Sequence, residues 1–218
     1  MERVLRLRDG EAVAVSDGAG SYRPCRARRG AGCRLCLEPA GPVGFQPRSE
    51  PAVTVAFSLL KGERTEWAVE KLTEAGVDEI LLLVCERTVV RPSEDRSERR
   101  WRRLEKVARQ AAMQSRRLYL PRLARPVEVE EAISRAAGRG FIAEPGGGPP
   151  RLDRPFALVG PEGGWSSAEL ARAGRHGLEP LSLGVGVLRA ETAAVAAGLL
   201  LTALRSGLVA ASTDDRSR

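Results

Sequence analysis

The segment "FALVGPEGGWSSAEL", residues 156–170, constrains this chain more than any other. Its first four residues are apolar and read as a buried strand, while Ser166 and Glu169 have the spacing of a helix capping box. Three glycines, a proline and a carboxylate lie between. A buried strand turning so sharply into a helix is part of a parallel α/β layout, and the chain repeats the alternation. "AVTVAFSLL" (52–60) reads as a strand. "TEWAVEKLTEAG" (65–76) reads as a helix, with Thr65 as N-cap, Ala68, Val69, Leu72 and Ala75 on one face and Gly76 as the stop. "DEILLLV" (78–84) is a second strand, and residues 97–121 predict a helix closed by Pro121, with Trp101, Leu104, Ala108, Ala111, Ser115 and Leu118 on its inner stripe. Residues 127–140 predict a helix, "FIAE" (141–144) a strand, 145–155 a loop, 166–177 a helix, "EPLSLG" (179–184) a strand and 191–207 an apolar helix. The expected class is α/β on a mainly parallel sheet.

Residues 1–48 have a different texture, with short alternating runs between Gly and Pro turns, and predict a small β domain. "GFQPRSEP" reads as the linker, 49–210 as the α/β domain and 211–218 as a disordered tail. No apolar run is long enough to span a bilayer and the N-terminal stretch is charged, so a cytoplasmic protein is expected.

Charge narrows the function. The net charge is +7 over 218 residues, but residues 87–125 hold thirteen Lys/Arg against four Asp/Glu. Such a basic segment is the footprint of a polyanion, nucleic acid first; a solvated Arg-rich helix face is the alternative. A single histidine, His176, argues against a His-based metal centre or a Ser-His-Asp triad. Cys33 and Cys36 have zinc-knuckle spacing, with Cys25 as a third ligand, but a closed site wants four and no metal is expected.

In a parallel sheet, ligands sit beyond the carboxyl ends of the strands, where the loops at 160–164 and 184–190 fall. A phosphate cradle fits the first loop poorly: Glu162 repels an anion and Pro161 lacks an N–H. Gly160, Gly163 and Gly164 instead allow close backbone approach to a neutral or cationic ligand, or serve a tight turn. The second loop, "SLGVGVLRAETAA", repeats the design and adds Arg189 and Glu191, which as a plain surface ion pair would contribute little.

Taken together, "GPEGGWSSAEL", "LGVGVLRAETAA", "EKLTEAGVDEI", "ERTVVR" and "QSRRLYLP" resemble successive motifs of the RsmE family of 16S rRNA (uracil-N3)-methyltransferases, over residues 52 to 205. The resemblance implies a SPOUT domain tied in a trefoil knot, a PUA-like RNA-binding barrel before it, a homodimer, S-adenosylmethionine as methyl donor and 16S rRNA within the assembled 30S subunit as substrate. It implies cofactor contacts at Gly160, Gly164, Leu183, Gly184, Val187, Leu188, Thr192 and Ala193, with Glu144 from a third loop. Arg189 and Glu191 become the candidates for catalysis, and Lys71 and Glu74 second candidates for contacts at the dimer-facing site. Lys71, Arg87, Arg91, Arg116 and Arg117 are expected at RNA phosphates; Gln114 is either a base-edge reader or a plain helix polar residue. Three departures stand out. The stretch before "VLRLRDG" is shorter than the family's, leaving the barrel's first strand in question, Gly186 replaces a usual arginine, and Met113 replaces a usual glutamate. The alternatives are a SPOUT methyltransferase acting on tRNA and a non-catalytic RNA-binding protein.

Overall fold

The structure is a computed structural model that describes residues 7–29, 35–90 and 94–210. Cys33, Arg91 and the tail at 211–218 lie outside the described residues. The chain divides into two compact units, one of residues up to Arg48 together with Arg116–Leu120, the other of Ser49–Ser115 and Pro121 onward.

The first unit is an antiparallel sheet of β1 (Ala12–Ser16), β2 (Ser21–Arg29), β3 (Leu35–Pro39) and β4 (Gly44–Phe45), with β2 pairing all the others. The β1–β2 turn is closed by Asp17, whose Oδ1 accepts from the amides of Ala19 (2.7 Å) and Ser21 (3.1 Å). Those amides, Ala19 first, hold the Asp17 carboxyl below its ordinary range. Arg116–Leu120 completes the unit: Leu120 N donates to Gly18 O, Gly20 N to Leu118 O and the Tyr119 hydroxyl to Gln46 O, while Arg48 lies over the Tyr119 ring at 4.5 Å. Gly20 is required here, since a Cβ would come within 2.2 Å of the Tyr119 hydroxyl.

The second unit is a six-stranded sheet in the order β10-β8-β9-β5-β6-β7, parallel at every pairing. Its strands are β5 (Thr54–Ser58), β6 (Glu79–Val84), β7 (Arg122–Glu128), β8 (Gly140–Gly148), β9 (Phe156–Val159) and β10 (Glu179–Leu181). Five helices complete it: α1 (Arg64–Glu74), α2 (Glu94–Gln114), α3 (Val129–Arg135), α4 (Ser167–Arg175) and α5 (Ala190–Arg205). Central strands are apolar without alternation because both faces are covered. Side chains still divide by the period of two. Val55, Phe57, Ile80, Leu82, Ala157 and Val159 join the core formed with α1, α2 and α5, whereas Ala56, Leu81, Leu83, Phe156 and Leu158 join the one formed with α3 and α4.

Four expectations are corrected. The long helix ends at Gln114 rather than Pro121, because Arg116 takes a positive φ of 56° and the next residues pair with the first unit, carrying Leu118 off the stripe. Residues 122–128, where Arg and Pro interrupt any alternating pattern, form an edge strand in place of the first part of the expected helix, and α3 is correspondingly short. The "PGGG" expected in a loop continues β8, and Gly147 is needed there since a Cβ would sit 2.5 Å from Pro180 of β10. Thr65 is not an N-cap. It lies inside α1, where its buried hydroxyl exchanges hydrogen bonds with the amide and carbonyl of Leu60.

The α5 helix is fixed at its far end by charge. Arg205 pairs with Asp78 and donates to Gly76 O (2.9 Å) and Pro51 O (3.3 Å), while Asp78 Oδ2 also accepts from Val53 N at 2.9 Å. Both side chains are about nine-tenths buried, so deleting one strands the other. Arg205→Ala is expected to cost about 3–5 kcal/mol in urea unfolding; a loss below about 1 kcal/mol contradicts this anchoring. No helix among the described residues is long and apolar enough to cross a membrane.

Candidate active site

Since the strands of the sheet all run one way, the segments after β5, β6, β8, β9 and β10 emerge on one edge. The β9 loop is shaped by Trp165. Its indole is buried, donates from Nε1 to Ala143 O of β8 at 3.0 Å, and lies so close to Gly160 that a Cβ there would meet the ring at 2.9 Å. Gly160 thus has a packing reason of its own. Gly164 has a conformational one, with φ +69° and its amide donating to Pro161 O at 2.9 Å.

The expected capping box on α4 is present: Ser166 Oγ accepts from Glu169 N, and Glu169 Oε2 from Ser166 N at 2.7 Å. Glu169 does more than cap. Its Oε1 accepts from Glu86 N at 2.9 Å, tying the end of β6 to the start of α4. Arg87 also binds the β9 loop, donating from Nη1 to Gly163 O at 2.9 Å. Its exposed guanidinium holds a loop carbonyl as well as facing solvent.

The β10 loop is apolar and open. Leu183 packs against the core, whereas Val187 is 94% exposed and Leu188 37%; Gly184 and Thr192 are exposed too. Ala193 is buried in the first turn of α5, where its amide donates to Arg189 O at 2.8 Å. Arg189 occupies the N-cap position with an exposed side chain, and Glu191 is buried two residues on. The cation that Glu191 faces is Arg64 at the start of α1, Nη1 to Oε2 3.6 Å, and the same nitrogen lies 2.5 Å from Glu162 Oε1 of the β9 loop. Glu191 Oε2 is buried and makes no hydrogen bond. No local pattern marks Arg64, because 98 residues separate it from Glu162. Glu144, half-buried on β8, lies one residue beyond the carbonyl that Trp165 binds.

Other expected residues fall elsewhere. Lys71 donates to Glu70 at 2.8 Å and Glu74 at 3.0 Å, and these carboxylates, Glu70 first, raise its ammonium above the ordinary value. Arg116 and Arg117 belong to the first unit, Arg116 exposed and Arg117 half-buried, and Gln114 ends α2 in solvent.

A family model described as an RNA methyltransferase domain matches residues 47–202, which include both glycine loops and most of α5. The chain is 34% identical to the ribosomal RNA small subunit methyltransferase E of Synechocystis sp., an alignment covering 94% of this chain and 70% of that one. The chain belongs to the RNA methyltransferase family, among the ribosomal RNA small subunit methyltransferases E. A Legionella pneumophila structure solved with bound cofactor SAM superposes with a TM-score of 0.80 at 29% identity, covering 93% of this chain and 86% of that one. A ribosomal RNA small subunit methyltransferase E from Neisseria gonorrhoeae, bound to S-adenosyl methionine, gives 0.77 at 26% identity, over 94% and 86%.

On this methyltransferase, a separate cleft of about 270 Å³ opens past the ends of β6 and β7, lined by Cys85, Glu128, Glu169 and Arg172 among others. Cys85 is buried beside it, and its amide donates to Thr88 Oγ1, which is 2.9 Å from Ser58 Oγ. Burial first and the Glu169 charge second push the Cys85 thiol from 9.0 up to about 12. The folded state therefore favours the neutral thiol. That stability is whole below pH 9 and is lost between pH 9 and about 12, as the unfolded thiol ionises. Urea unfolding of the parent should lose about 2 kcal/mol more than Cys85→Ala between about pH 8 and about pH 10.5; equal losses contradict the burial of this thiol.

Among the described residues, no group of three or more His, Cys, Asp or Glu is placed to hold a metal ion.

Proposed function

We propose that this methyltransferase moves the methyl group of S-adenosylmethionine to N3 of a uridine in 16S rRNA, on the assembled 30S subunit in the cytoplasm. The observation that carries this reading is the buried, unbonded Oε2 of Glu191, at the head of a helix whose preceding loop is glycine-rich and apolar. Buried polar atoms are ordinarily paired, so an orphan acceptor beside a binding loop marks a place for a ligand's proton. Relatives solved with S-adenosyl methionine bound support the choice of donor.

The residues fit that donor, a sulfonium cation bearing an adenine and no phosphate. The tight backbone at Gly160, Gly164 and Gly184 can meet the adenine edge, Leu183, Val187 and Leu188 can cover its faces, and Glu144, Thr192 and Ala193 complete the wall. A cation is also better received than an anion by a site holding Glu162 and Glu191. The cofactor supplies an electrophilic methyl carbon on sulfur. Uracil must leave its stack to reach it. Glu191 Oε2 accepts the N3 proton, the freed N3 lone pair forms the new C–N bond, and the C–S bond breaks with its electrons staying on sulfur. The exposed Arg189 faces the negative charge that develops on the uracil oxygens.

RNA phosphates are assigned to Arg87, Arg91, Arg116 and Arg117, with Lys71 contributing only in exchange for Glu70 and Glu74. The antiparallel first unit is read as a PUA-like RNA-binding module. The second is read as a SPOUT trefoil knot, supported by the placing of β9 between β8 and β5. Homodimerisation is supported by the uncovered apolar side chains Trp67 on α1 and Leu199 on α5, helices that pack together.

The test is transfer from labelled S-adenosylmethionine to 30S particles lacking the modification, with nucleoside analysis. The expected product is 3-methyluridine, with Glu191→Gln slowing transfer about 100-fold. Methylation of tRNA in preference to 30S particles, or a different methylated nucleoside, overturns the assignment.

A further inference from the structure

Two carboxylates from segments far apart in sequence meet one guanidinium nitrogen. Arg64 places Nη1 2.5 Å from Glu162 Oε1 and 3.6 Å from Glu191 Oε2, while its Nε donates to Lys61 O at 3.3 Å. The contacts are unequal. The first is a charge-assisted hydrogen bond, and the second is an ion pair too long to be one.

The base of this arrangement is rigid. Thr65, next to Arg64, exchanges hydrogen bonds with Leu60, and Arg100 of α2 donates to both Leu60 O (2.9 Å) and Thr65 Oγ1 (3.1 Å). Arg64 therefore projects from a pinned turn. Glu162, its side chain 41% exposed, takes the short contact, and the nearly buried Glu191 takes the long one. A lone arginine facing a lone buried carboxylate would close to hydrogen-bonding distance and occupy the acceptor. Glu162 holds the guanidinium back.

We propose that Arg64 is a positioning residue for methyl transfer: shared between Glu162 and Glu191, it fixes the Glu191 carboxylate by charge while leaving the buried Oε2 without a hydrogen bond, the place a substrate proton would take. This rests on Glu191 being the proton acceptor. Glu162 has its own part in it. Without Glu162, Arg64 closes on Glu191 and fills the acceptor; without Arg64, the Glu191 carboxylate loses the charge that orients it. The glycine loop then carries its acidic residue to hold an arginine, in addition to any part in receiving the donor.

The test compares Arg64→Gln, Arg64→Lys, Glu162→Gln and the Arg64→Gln/Glu162→Gln double variant in the full chain. Three quantities are read: single-turnover methylation of 30S particles, calorimetric Kd for S-adenosylmethionine, and thermal melting. Arg64→Gln is expected to slow the single-turnover rate about tenfold or more, with the Kd changed by less than about threefold. Arg64→Lys should recover most of the rate. Glu162→Gln, at an exposed side chain where folding is not at stake, should also slow the step, and the double variant should be no slower than Arg64→Gln alone, since the two residues act as a unit. Parent-like rates in Arg64→Gln or Glu162→Gln, a rate loss matched by the loss of S-adenosylmethionine affinity, or additive losses in the double variant overturn the proposal. A parent chain that binds S-adenosylmethionine yet methylates nothing overturns the functional reading itself, and this proposal with it.

Discussion

Six strands running in one direction decide where everything else in the second unit can go. Each ends on the same edge of the sheet, so residues that chain order keeps more than a hundred positions apart are delivered to one place. Arg64 after β5, Gly160–Gly164 after β9 and Glu191 after β10 all reach that edge. Parallel pairing also demands helices on both faces, which buries the strands and makes the edge loops the natural outlet for polar chemistry. The arrangement depends on α5 being held at both ends. Arg205 and Asp78 lock its C-terminus to the start of β5 and β6, and its N-terminus presents Glu191.

The basic segment is less available to RNA than its charge alone implies. Arg103 pairs with Glu63 and Glu66, Arg100 holds Leu60 and Thr65, and Arg125 pairs with Glu98 while lying over the Trp101 ring. Arg125 and then Arg102 depress the Glu98 carboxyl, a sign that these charges are occupied in the fold. Several of the arginines thus fasten α2 to α1 and β7, and the polyanion footprint narrows to the remainder. Arg87 belongs to both groups, exposed yet bonded to Gly163. Movement of an RNA phosphate onto Arg87 would be felt by the glycine loop.

What was legible in the sequence follows from how local each signal is. The capping box at Ser166 and Glu169, the apolar strands at 54–58, 79–84 and 156–159, and the helices from 64 and 190 are short-range patterns, and they stand in the structure much as read. The glycine loops could be found from composition, but their reasons could not. Gly160 is small because Trp165 lies over it, and Gly147 because Pro180 crosses close by, contacts that no spacing rule encodes. The edge strand at 122–128 was hidden because an edge tolerates Arg and Pro. Arg64 was hidden because its meaning is wholly tertiary. The sequence offered Arg189 as the partner of Glu191, two residues away, and the fold turns Glu191 toward Arg64 instead.

The methyl donor is proposed to sit where the β9 loop, the β10 loop and the first turn of α5 meet. The decisive measurement is a crystal structure of this chain with S-adenosylmethionine. Density for the adenine is expected between backbone at 160–164 and the side chains of Leu183, Val187 and Leu188, with the last two covered by it. Density in the cleft beside Cys85 instead, with the β10 loop still exposed, would contradict it.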